Sequence, residues 1–252
     1  MKVAVLSSGS KGNTTYIESK NSKILIDAGN SSKYIIDKLH EINVDPKEID
    51  AILITHIHSD HIKGLPVLLK HINPCIYLTK SSHQALDFIK NYKYIETDNF
   101  NIKDLTINVI KTSHDAPDSL GYIISNEDKS IVYITDTGYI NKKYYDLLNN
   151  KNIYIMESNH DIEMLNNGSY PFELRQRILS DKGHLSNYDS SKYLCELMGS
   201  NTKKIILAHL SEENNTPLLA YDTLKDRLNK KNISFDDIII AKQNERTELI
   251  NI

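Results

Sequence analysis

Seven residues, Thr55-His56-Ile57-His58-Ser59-Asp60-His61, set three imidazoles and a carboxylate directly behind the apolar run Ala51-Ile52-Leu53-Ile54. A short apolar run ending in such a cluster reads as a buried strand that opens into a polar loop, so any fold must bring that loop somewhere useful. Buried without partners, each polar group would cost on the order of 1 to 3 kcal/mol. Neutral imidazole and carboxylate are instead the ligand types that suit zinc, manganese and iron, and a catalytic site leaves coordination positions open for water or substrate. A lone histidine is usually a surface or satisfied core residue, but the clustering of His56, His58, Asp60 and His61 points to a metal site.

Three further segments place a polar ligand at the end of a β-rich apolar stretch: His114 after Leu105 to Thr112, Asp136 after Ile131 to Thr135, and His209 after Ile205 to Ala208. Together the seven side chains suffice for two divalent ions. By contrast His40, His71 and His83 lie in helix-like stretches without ligand neighbours and read as structural or exposed.

His-x-His-x-Asp-His followed by a lone His, a lone Asp and a last His resembles the signature of the metallo-β-lactamase fold, over nearly the whole chain. Ser7-Ser8-Gly9-Ser10-Lys11-Gly12-Asn13-Thr14, Glu157-Ser158-Asn159-His160-Asp161, Gly183-His184-Leu185-Ser186-Asn187 and His209-Leu210-Ser211 are similar to segments of the YycJ (also called WalJ) group within it. The resemblance implies an αββα sandwich and a metal-dependent exonuclease acting on DNA. It also implies that His56, His58 and His114 hold one ion, that Asp60, His61 and His209 hold a second, and that Asp136 bridges them. A hydroxide between the two ions would be the nucleophile, so no Ser or Cys is needed. Manganese is favoured for activity by the resemblance, and zinc or iron suits the same donors.

Short β-rich runs begin at Val3, Tyr16, Lys23, Ala51, Cys75, Leu105, Gly121, Ile131, Ile153, Lys204 and Asp237. That is too many for one open sheet with ordinary helices, whereas two sheets face to face with helices outside accommodate them. Helix patterns fall at 32–41, 65–71, 82–91, 142–149, 172–179, 188–198 and 217–230. The last has Thr216 as N-cap, Pro217 at the first helical position, and Leu218, Tyr221, Leu224 and Leu228 on one face. A single hydrolase domain over residues 1–252 is expected.

Hydrophobic residues make up 40% of the chain and charged residues 25%, which argues against disorder. No segment approaches the roughly 20 apolar residues of a membrane span, and the chain opens into strand-like Lys2 to Leu6 instead of a signal peptide, so a cytoplasmic protein is expected. Cys75 and Cys195 read as a reduced, buried pair. With a net charge of -3 there is no global basic field, so contact with a polyanion such as DNA must be local. Arg175, Arg177 and Lys182 lie between two histidine motifs and are the best candidates. Lys142-Lys143 and the group Lys225, Arg227, Lys230 and Lys231 read as solvated helix faces.

Around the metals, Asp27 in Leu25-Ile26-Asp27-Ala28-Gly29 either orients a histidine ring or serves its turn. The glycine turn of Gly9 and Gly12 would present Asn13 toward the metals; it lacks the Gly-Lys-Ser/Thr order of a nucleotide-binding loop. His184, before a helix with Asn187 as cap candidate, would stabilise the transition state or protonate the leaving oxygen, and His160 with Asp161 would line the substrate cleft or join the metal shell. A loop-capping surface histidine is the alternative for both. Asp60 and His184 are thus the catalytic candidates beside the ligand set. Other activities compatible with the metal core are hydrolysis of a small cyclic or nucleotide phosphodiester, thioester or lactam hydrolysis, and non-catalytic metal binding.

Overall fold

Strands buried on both faces read as continuous apolar runs, and this chain is built from them. The protein, described over residues 1–252 by a computed structural model, forms strands β1 (Lys2–Ser7), β2 (Thr14–Glu18), β3 (Lys23–Ile26), β4 (Ala51–Leu53), β5 (Cys75–Leu78), β6 (Tyr92–Tyr94), β7 (Asn99–Ile102), β8 (Leu105–Lys111), β9 (Leu120–Ser125), β10 (Ser130–Ile134), β11 (Ile153–Glu157), β12 (Lys204–Ala208), β13 (Ile238–Ile240) and β14 (Ile250–Asn251). The helices are α1 (Ser32–Glu41), α2 (Ser59–Ile62), α3 (Leu65–Leu68), α4 (Lys80–Ala85), α5 (Tyr145–Leu148), α6 (Ile162–Asn167), α7 (Phe172–Leu179), α8 (Asn187–Leu197) and α9 (Pro217–Lys230).

Two seven-stranded sheets result, ordered β14-β1-β2-β3-β4-β5-β6 and β13-β12-β11-β10-β9-β8-β7. Each joins an antiparallel portion to a parallel one: β3, β4, β5 and β6 run parallel in the first sheet, β10, β11, β12 and β13 in the second. Alternate residues divide the core. Ile24 and Ile26 of β3 and Ile153 and Ile155 of β11 face the space between the sheets, while Leu25, Tyr154 and Met156 face outward. Ile35, Leu39, Leu65 and Leu68 from α1 and α3 cover the outer face of the first sheet, and α8 and α9 cover that of the second. This is the expected αββα sandwich.

Local details depart from the sequence reading. The Thr79 hydroxyl accepts from Ser82 N–H, so α4 starts at Lys80, and it stops at Ala85; Leu86 and Ile89 are then buried by irregular chain. The 65–71 helix ends at Leu68, and the 142–149 helix starts with a 3₁₀ turn at Lys142–Tyr144. Ser186, not Asn187, caps α8, its hydroxyl accepting from Asp189 N–H. In α9 the buried face is Ala220, Leu224 and Leu228, with Leu218 67% exposed, because the i, i+4, i+8 row meets the sheet. β6, β7 and β14 escaped notice: the first two are polar edge strands, and β14 is two residues long and defined by pairing Ile250 with Val3. Cys75 and Cys195 are free and half-buried, so they are less enclosed than expected. No helix is long and apolar enough to cross a membrane.

Candidate metal centre and cleft

The parallel strands of both sheets end at one rim, where open α/β sheets collect their ligands. There the chain leaves β3 at Asp27, β4 toward His56, β10 toward Asp136, β11 at Glu157 and β12 toward His209. Asp27, Asp136 and His209 turn the corner in left-handed backbone, with φ of 59°, 54° and 56°. Such conformations cost non-glycine residues about 1–3 kcal/mol and persist only where neighbours over-determine them. Asp27 N–H donates to the Leu53 carbonyl at 2.9 Å, and His209 N–H to the Ser8 hydroxyl at 2.7 Å. Gly29 lets the turn lie against the histidine motif: a Cβ there would stand 1.7 Å from the Asp60 carbonyl.

Two buried carboxylates orient the imidazoles. Asp27 accepts from Thr55 N–H at 2.8 Å, from the Thr55 hydroxyl at 2.7 Å and from His61 Nδ1 at 2.7 Å. Glu157 accepts from His184 Nδ1 at 2.8 Å and His209 Nδ1 at 2.9 Å through one oxygen, and from Thr137 and Leu185 N–H at 3.0 and 3.1 Å through the other. A ring that donates Nδ1–H to a carboxylate keeps the lone pair of Nε2 free to face the cluster.

Potential ligand atoms of His56, His58 and His114 lie within 4.8 Å of one another, as do those of Asp60, His61 and His209. Asp136 stands between the two sets: its oxygens lie 3.1 Å from His61 Nε2, 3.5 Å from His209 Nε2 and 3.8 Å from His114 Nε2. The donor set fits cations on a direct count, because His56 Nε2, His209 Nε2 and Asp136 Oδ2 are buried without a hydrogen-bond partner. Three orphaned polar atoms in one cluster would cost about 1–3 kcal/mol each, and a divalent ion is the partner that satisfies both nitrogen lone pairs and carboxylate oxygens.

Titration follows the crowding. Burial lowers His56 well below its usual value, with the neighbouring His61 adding to it. Burial would also lower His209, but Asp136, Asp60 and Glu157 outweigh it and push the ring up to about 10. Burial opposes ionisation of Asp136 too, yet the His209 and His61 rings hold it well below the carboxylate range. Ligation therefore has protons to displace, and its strength depends on pH.

The cluster opens into a cleft of about 230 Å³ lined by His58, Asp60, Asp136, His184, Arg177 and Lys182 among others. Arg177 Nε donates to Asp115, whose other oxygen lies 3.3 Å from His114 Nε2. His184 sits at the cleft wall. Four other substrate-contact expectations need correction. His160 is only 1% exposed and does not line the cleft, because the strand-like chain after β11 alternates and turns it away from the side that Glu157 and Asn159 face. Asp161 caps α6, accepting from Met164 N–H at 2.9 Å, and Arg175 Nη1 is bonded to the Asn166 carbonyl away from the cleft. Asn13 is also buried; its amide reaches Asp60 Oδ2 at 3.2 Å and Gly9, so it braces the cluster instead of lining the cleft.

Residues 8–209 match the family model described as Metallo-beta-lactamase superfamily. The chain belongs to that superfamily. Within it the protein is 42% identical over 236 residues to Exodeoxyribonuclease WalJ of Streptococcus pneumoniae, covering 90% of this chain and 88% of that protein, and belongs to the same family. It is 35% identical to Exodeoxyribonuclease YycJ of Bacillus anthracis, covering 90% and 89%. Among solved structures, the metallo-beta-lactamase fold protein YhfI of Bacillus subtilis superposes with a TM-score of 0.74 over 98% of this chain and 99% of its own, at 19% identity, which speaks to fold alone.

The sequence reading missed Glu157, Thr55, Asp115 and Asn159 as parts of this family member's site. Glu157 carried the signal that flagged Asp136, a carboxylate at the end of an apolar run, and stood inside a motif already singled out. Thr55 and Asp115 each adjoin a flagged histidine but have no chemistry that marks them alone.

Proposed function

We propose that the protein is a DNA exonuclease with two divalent metal ions, and that it works as one hydrolase domain over residues 1–252 in the cytoplasm. The observation that carries this reading is the pair of candidate ligand triads on either side of Asp136, with unsatisfied polar atoms of Asp136 and His209 in a cleft also lined by Arg177 and Lys182. His56, His58 and His114 would hold one ion, Asp60, His61 and His209 the other, and Asp136 would touch both. When bound, two such ions acidify water toward neutral pH and offset the charge of a phosphodiester, with manganese the favoured pair and zinc or iron fitting the same donors.

The chain's own groups supply the rest. Arg177 and Lys182 bind backbone phosphates at the cleft mouth, Arg177 being steadied by Asp115. His184, with Nδ1–H held by Glu157, turns Nε2 to the departing oxygen and, when the ring is doubly protonated, delivers its Nε2 proton there and is left as the neutral Nδ1–H ring, a step of general-acid catalysis. Asn159 donates to the His209 carbonyl at 3.0 Å and keeps the left-handed turn in place. The exodeoxyribonuclease relatives support DNA as the substrate.

End-labelled single- and double-stranded DNA incubated with manganese should lose nucleotides progressively, and Asp136→Ala should abolish the loss. Turnover of bis-p-nitrophenyl phosphate without cleavage of DNA would overturn the substrate assignment. The small cleft, about 230 Å³, is what favours the second reading of hydrolysis confined to small nucleotide diesters. Failure of the metal-loaded protein on every diester would overturn both.

A further inference from the structure

At the far side of the His184 loop, α8 and α9 cross and leave a groove of about 420 Å³ lined by Tyr188, Thr223, Asp226, Arg227, Lys230 and Lys231. Tyr188 is 55% exposed, and the Arg227 guanidinium lies over one face of its ring, 4.3 Å from the centroid, while Arg227 Nε donates to the Ser191 hydroxyl at 2.8 Å. The aromatic is thus set in place with exposed surface left over. Lys225 pairs with Asp236 at 2.6 Å and Lys33 with Asp37 at 2.5 Å, but Lys230 and Lys231 have no acidic partner. Three cations against one acid, Asp226, leave the groove positive on a chain whose net charge is -3. Helix C-termini do favour cations, which accounts for charge at Lys230 and Lys231 but not for an exposed tyrosine with an arginine against one face beside them.

We infer that this groove binds a single-stranded stretch of nucleic acid, one base stacking on Tyr188 and its flanking phosphates meeting Arg227, Lys230 and Lys231. A positive groove with a stacking aromatic is how proteins hold single strands without regard to sequence. The inference rests on the nuclease reading and adds where the strand runs beyond the cleft. Tyr188 lies four positions along the chain from His184, a span of at most about 14 Å, so a strand that leaves the cleft past His184 reaches the groove within a few nucleotides. A long strand covers both places whereas a dinucleotide in the cleft does not, so strand length becomes the discriminating variable.

The test compares the metal-loaded wild type with Tyr188→Ala and with the double variant Lys230→Ala, Lys231→Ala on single-stranded DNA of about twenty nucleotides and on a dinucleotide. Both variants should raise KM for the long strand roughly tenfold and leave dinucleotide turnover within about twofold. The lysine variant should also flatten the slope of log affinity against log salt by about 1.4, two phosphate contacts at about 0.7 each, measured by anisotropy in an Asp136→Ala background. Lys230→Arg with Lys231→Arg should retain wild-type affinity. Long-strand KM and salt slope equal to wild type in both variants would overturn the inference, as would equal losses on long and short substrates in variants of unchanged melting temperature, or loss of affinity in the charge-preserving variant. Wild type that binds the long strand through this groove yet cleaves no DNA would overturn the nuclease reading and leave the groove standing.

Discussion

Asp27 and Glu157 do the same job from opposite sheets, and the difference between them shows how the two halves of the centre are built. Each is a fully buried carboxylate at the end of a strand, and each orients imidazole by accepting Nδ1–H. Asp27 serves one histidine and one threonine. Glu157 serves two histidines and two backbone N–H groups. Burial dominates at Asp27 and raises its carboxyl above the ordinary value in spite of His61 and Thr55. Burial pushes Glu157 the same way, but His184 and His209 outweigh it and bring the carboxyl down to about 2. The second sheet therefore concentrates on one residue what the first spreads over Asp27 and Thr55, so damage to Glu157 should reach further.

The largest effect that would test this contrast is Glu157→Gln. Losing the anion from two histidines at once should lower DNA turnover about 10²- to 10⁴-fold, with kcat falling even at saturating metal because His184 is misplaced. Next comes metal removal. Chelation should lower stability by about 2.7 kcal/mol relative to protein held at a hundredfold excess over the metal Kd, read as a fall in melting temperature. Asp27→Asn should weaken metal binding about 10- to 100-fold while kcat returns at high metal, since only His61 loses its orienting partner. Equal kinetic losses in the two variants, or a kcat deficit in Asp27→Asn that metal does not repair, would break the comparison.

Acid sensitivity sharpens it further, because the two carboxylates carry opposite signs. In metal-free protein Glu157 has a folded pKa below its unfolded value of 4.5, so its stabilisation is complete above that pH and disappears as pH falls toward about 2. Asp27 has a raised folded pKa, so its ionisation weakens the fold as pH rises through that value. Urea unfolding against pH should therefore show Glu157→Gln losing part of the wild-type decline between pH 4.5 and about 2, and Asp27→Asn losing part of the opposite trend. The smallest change is Thr55→Val, which removes one donor to Asp27 and should cost about 1 kcal/mol with little effect on kcat.

Most of the strands and the helices 32–41, 172–179 and 217–230 were legible in the chain because their signals are local: apolar runs, caps and a proline at the first turn. The ligand candidates were legible for the same reason, each being a polar residue just past an apolar run. His160 shows the limit. It stands in a suggestive motif, but which way it points depends on how 157–161 threads between the His184 loop and the 208–214 turn, where Asn187 N–H donates to the His160 carbonyl and Asp161 N–H to that of Asn214.

By itself the sequence determined the kinds of candidate ligand, their placement at strand ends and the double-sheet architecture, since side-chain chemistry and the period of apolar residues are properties of short segments. Only the tertiary structure decided that Glu157 joins His184, 27 residues on, to His209, 52 residues on. It alone decided that Asp136 lies between the triads and that Asp27, Asp136 and His209 take left-handed turns. Those features depend on distances and dihedrals fixed by packing two sheets together, and residues far apart in the chain carry no mark of the neighbour that will hold them.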